Sequence, residues 1–103
     1  MKFLSTHQYK VVDVNKALVK FRKLMDERNK DPDKYPKIIS GPYTLGDHDS
    51  LGVIKAFTIH EVDDPKQLLR LVNWFTPEIS WKFTPIFESE LTIPLWVEMK
   101  PLG

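Results

Sequence analysis

Residues 51–67 read LGVIKAFTIHEVDDPKQ, and this stretch decides the fold. Leu51 to Val62 is the most β-rich run in the chain and is expected to be a strand. Asp63-Asp64-Pro65 then opens a helix, with Asp64 as N-cap, Pro65 at the first helical position and Gln67 at the third. That is a D-x-x-Q variant of the capping box, in which two side chains satisfy the free amides of the first turn. Leu68, Leu71, Val72 and Phe75 supply its buried stripe, Leu69 widens it and Pro77 stops it, which predicts a helix over 64–76.

Upstream, residues 36–45 (PKIISGPYTL) read as a partner strand broken by Gly41-Pro42. Proline cannot donate to a ladder, so this strand belongs at an edge or carries a bulge. Gly46-Asp47-His48-Asp49-Ser50 is the turn that makes 36–62 a hairpin. Before it, Val14, Ala17, Leu18, Phe21, Leu24 and Met25 recur at helical period. They predict a helix over 14–29 capped by Asp13 and ended by Asn29 and Lys30-Asp31-Pro32-Asp33. Residues 2–9 (KFLSTHQY) form a first strand with mixed faces, which suits a central position. Downstream, residues 79–87 form a fourth strand, with Ile79, Trp81 and Phe83 on one side and Ser80, Lys82 and Thr84 on the other.

The order is β-α-β-β-α-β. Two right-handed crossovers of this kind give an α+β, ferredoxin-like domain: a four-stranded antiparallel sheet with both helices on one face. It occupies 1–89, and 90–103 is a C-terminal arm beyond the motif. The arm carries Ile93, Leu95, Trp96, Val97 and Met99, too apolar to be left in water, and Pro94 suits an extended segment there.

The length of 103 residues fits one domain. With 42% apolar and 28% charged residues the chain is globular rather than disordered. A net charge of +1 gives no global argument for nucleic acid or membrane. Lys16, Lys20 and Lys23, with Arg22, Arg28 and Lys30 nearby, make a basic stripe on the first helix, but Asp26, Glu27, Asp31 and Asp33 dilute it. The third strand also lacks the aromatic spacing of an RNA-recognition sheet, so the stripe reads as a solvated face and no nucleic acid partner is expected. Without cysteine there are no thiolate zinc sites or Cys nucleophiles. His7, His48 and His60 have no metal-clip spacing, so no metal is expected. No phosphate loop or nucleophile elbow is present, and no cofactor is implied. The N-terminus has no secretory h-region and no uncharged run spans a bilayer, so a cytoplasmic protein without membrane contact is expected.

One sheet face lacks helices in this architecture. Either phase of the third strand would leave large apolar groups there, Val53, Phe57 and Ile59 or Ile54 and Val62. A homodimer that pairs the open faces would cover them, and the arm is expected to contribute to that interface.

The stretch from Gly52 to Pro65, then Trp74, then Trp81 to Glu88, resembles a family of small uncharacterised proteins in the dimeric α/β-barrel, ferredoxin-like superfamily. Lys2-Phe3-Leu4 and Ser40-Gly41-Pro42-Tyr43 also fit, so the resemblance covers residues 1–90 loosely. The sequence departs from it at Tyr43-Thr44, where an aromatic–His pair is common, in a longer hairpin loop and in the added arm. The resemblance implies a barrel-forming homodimer and no particular reaction, because the superfamily hosts enzymes and non-enzymes alike.

The candidate ligand-binding residues are His7, Tyr43, His60, Glu61 and Trp81. His7 and His60 lie on strands that the topology makes neighbours, and with Tyr43 and Trp81 they would line an apolar pocket with few polar groups. His60 and Glu61 are successive and point to opposite faces, so only one of them joins such a pocket. Structural roles compete: a buried histidine satisfied by its neighbours, and a glutamate anchoring the loop before the second helix. Lys55 and Lys82 on the open face would admit an anionic ligand. The expected function is binding of a small molecule near the open sheet face, with or without chemistry. The alternative is a non-catalytic assembly module whose open face is only a dimer interface.

Overall fold

A computed structural model describes residues 1–46 and 52–100. Four strands, β1 (Lys2–Lys10), β2 (Lys37–Thr44), β3 (Val53–Glu61) and β4 (Ser80–Pro85), form one sheet. Its order is β2-β3-β1-β4 and every neighbouring pair is antiparallel. Helix α1 (Val14–Lys30) follows β1, α2 (Pro65–Phe75) follows β3, and α3 (Ser89–Met99) follows β4. The class is α+β.

Register places the chemistry. Ser5 lies opposite Thr58 and Phe83, His7 opposite Ala56 and Trp81, and Phe3 opposite His60. Opposed residues share a face, so the odd positions of β1 join Ala56, Thr58, His60, Trp81 and Phe83 under the helices. Ala17 and Leu24 of α1 and Leu71 and Phe75 of α2 pack there with Tyr35 and Ile79. The Trp74 indole nitrogen donates to the Lys20 carbonyl at 2.9 Å, which ties the two helices together.

The predicted start of α2 is present. Asp64 Oδ1 accepts from the Lys66 amide at 2.9 Å, and Gln67 Oε1 accepts from the Asp63 amide at 3.0 Å. Gln67 Nε2 also donates to the Asp33 carbonyl at 2.9 Å, so the cap fastens the second helix to the turn after the first. β2 is an edge strand with register shifts between Ile38 and Ser40 and between Ser40 and Tyr43, as Gly41-Pro42 implied. Gly41 has φ of 100°, and a Cβ there would sit 3.0 Å from the Phe57 carbonyl oxygen, so only glycine fits.

Several expectations change. The arm is not extended: α3 is helical with Pro94 inside it. Proline loses one helical hydrogen bond, but the flanking Glu, Leu and Met residues are good helix formers. Every residue of α3 is exposed. Asp13 stands at the N-cap of α1, yet its side chain makes no capping bond, because a 3-10 turn over Val11–Asp13 precedes the helix. Leu69 is exposed rather than part of the buried stripe of α2. The stripe of α1 is also wider than its contact with the sheet: Ala17 and Leu24 are buried, whereas Leu18 and Met25 overhang. The hairpin turn after Gly46 and His48 lie outside the described residues.

Candidate functional site

The overhang of α1 leaves a cleft of about 520 Å³ between that helix and the sheet. Phe21, Leu24, Phe75 and Trp81 give it an apolar body, and His7, Thr58 and His60 form its polar sheet side. This volume falls within the range of small-molecule sites.

His7 comes from the middle of β1 and is 5% exposed. Its ring lies 4.6 Å from that of Trp81 and 5.3 Å from that of Phe21, centroid to centroid. This aromatic cage removes water, and burial lowers the His7 pKa to about 4. Its Nδ1 has no hydrogen-bond partner, and neither does the buried Nε1 of Trp81. A buried nitrogen left unpaired costs stability.

His60, on β3, is also buried. Its Nδ1 and the Ser5 hydroxyl are 2.7 Å apart. Its pKa is likewise lowered to about 4, first by burial, then by the charge of Arg28 and then by His7. Both rings are therefore neutral at physiological pH. Ser5 is fully buried and does not line the cleft, so it holds the His60 ring rather than serving as a nucleophile.

His7, His60 and Trp81 thus come together, but beneath the helices and not on the open face. The other two candidates lie elsewhere. Tyr43 stacks near Phe57 on the open face, with its hydroxyl 2.6 Å from Ser40 Oγ. Glu61 accepts from the N-terminal ammonium at 3.0 Å, an anchoring role. Lys55 and Lys82 do face the open side, beside a hollow of about 400 Å³ with Thr6 and Gln8. His7 and Trp81 reach this hollow as well as the larger cleft.

Arg22 and Arg28 of α1 line the cleft as well; Arg22 is exposed, as the basic-stripe reading has it, whereas Arg28 is not fully solvated. The signal was present: Arg28 continues the 21, 24, 25 recurrence by one more helical step. Arg28 is half-buried and donates to the Pro36 carbonyl, and burial lowers its pKa. Among the described residues no group of three or more His, Asp or Glu could hold a metal, and no helix is long and apolar enough to cross a membrane. Comparison with protein-family models, curated proteins and solved structures gives no match for this chain.

Proposed function

We propose that this chain is a ferredoxin-like, cytoplasmic homodimer that binds a small, mainly apolar molecule in the cleft between α1 and the sheet. The observation that carries the reading is the cleft of about 520 Å³ itself, with Phe21, Leu24, Phe75 and Trp81 as its apolar body and the buried His7 and His60 on its sheet side. The aromatic walls would bury the body of a ligand, and the polar sheet side offers it a few fixed hydrogen-bonding groups. Ser5 occupies one ring nitrogen of His60, so the other is the group that would exchange a proton with a bound molecule if the site is enzymatic. The strand order and the resemblance over residues 1–90 support the ferredoxin-like, dimeric α/β-barrel assignment.

The test is a thermal-shift screen against a metabolite library, on the wild type and on a Met25→Trp variant that fills the cleft mouth. Only binding to the native state raises its melting temperature. Compounds that stabilise the wild type and not the variant support the cleft; no stabilising compound removes it.

Support for the homodimer comes from the open face, where Leu4, Phe57 and Ile59 are half-buried in the lone subunit, and from α3, whose Leu91, Ile93, Leu95 and Trp96 are all exposed. On this reading α3 adds to the interface, and deleting residues 91–103 weakens the dimer in light scattering. The same open face favours the second reading, a non-catalytic assembly module. That reading expects a dimer with no response to any small molecule.

A further inference from the structure

The cleft carries positive charge that nothing among the described residues balances. Arg22 and Arg28 both line it, and no carboxylate does. Neither arginine forms an ion pair among the described residues, although five ion pairs form elsewhere. The bond from Arg28 to the Pro36 carbonyl satisfies one donor and leaves the charge uncompensated. A guanidinium presents five donors in a planar fork that matches a carboxylate. The half-buried position of Arg28 makes such a pairing stronger than on an open surface, because fewer waters compete.

Resting on the cleft reading above, we infer that the ligand is a monocarboxylate with an aromatic or aliphatic body. Its carboxylate lies against Arg28 and Arg22, and its body lies among Phe21, Leu24 and Trp81. The two histidines are neutral, which leaves Arg22 and Arg28 as the charged groups of the cleft lining. The Arg28 charge that lowers His60 is the charge a carboxylate would neutralise. A single negative charge suits this setting better than a doubly charged phosphate, whose desolvation in a mostly apolar cleft costs more.

The experiment titrates the purified full chain with 4-phenylbutanoate and decanoate, each beside its primary amide and its amine. Intrinsic tryptophan fluorescence and melting temperature follow binding. The acids are expected to bind at least tenfold more tightly than the amides, and the amines not at all. Arg28→Gln should abolish that preference. Arg22→Gln should reduce it, and it serves as the independent variant because Arg22 has no bond to the Pro36 loop that could be lost on substitution. Amides or amines that bind as well as acids overturn the head-group inference and leave the cleft reading standing. So does an undiminished acid preference in both folded variants. If neither the panel nor the metabolite library contains a binder, the inference and the cleft reading fall together.

Discussion

The two faces of the sheet each carry exceptions to the usual sorting of polar and apolar groups. Beneath the helices the central strands place Ser5, His7, Thr58 and His60, none more than 5% exposed. The opposite face of the same strands carries Leu4, Phe57 and Ile59, only half-buried. Buried polar groups and half-open apolar ones are each the informative exception to the burial rule. The covered face keeps hydrogen-bonding groups in a dry place, which binding and catalysis need and stability does not. The open face keeps apolar area available, which a partner needs and a monomer does not.

Substitutions should separate the faces, beginning with the largest effect. Phe75→Ala, in the fully buried core under the helices, should cost about 3–5 kcal/mol by chemical denaturation. A loss below about 1 kcal/mol would mean that the covered face is not the core. Acid comes next. His7 and His60 are held near pKa 4 when folded and return to about 6.5 when unfolded, so the unfolded chain binds more protons between those values. Stability is therefore full above about pH 7 and falls as pH drops from 6.5 toward 4, by about 2 kcal/mol per histidine at pH 5. Denaturation midpoints from pH 7.5 to 5 measure it, and His7→Phe should remove roughly half; a flat profile would show that the rings are not buried neutral. Ser5→Ala should then cost about 1–3 kcal/mol by leaving His60 Nδ1 unpaired. Proton NMR of the His60 ring would show whether that nitrogen has lost its partner. Phe57→Lys on the open face should change monomer stability least, within about 1 kcal/mol, yet halve the mass seen by light scattering. An unchanged mass would separate the open face from self-association.

Much of this arrangement was legible in the sequence. The alternation of Trp81 and Phe83 against Ser80, Lys82 and Thr84, the capping box at Asp64 and the edge character of β2 all come from local rules, and each is present. The site was half legible. Strand adjacency brought His7 and His60 together, but which face they share depends on register, and register is a tertiary property. Tyr43 fell away because the register shifts around Gly41 put it with Phe57 on the other face. The burial of Arg28 was hidden because an arginine on an amphipathic boundary looks like a solvated charge until the width of the helix contact is known. The helix of the arm was hidden because Pro94 argues against it locally.

The broken register of β2 also limits how the sheet can grow. An edge strand with regular unpaired amides is a template for another strand, and sheets that extend this way polymerise. Here Pro42 offers no amide, and two register shifts fall within the eight residues of the strand. An added strand could not keep step along that edge. At the opposite edge β4 is only six residues long and ends in Pro85. Lateral, amyloid-like propagation is discouraged at both margins.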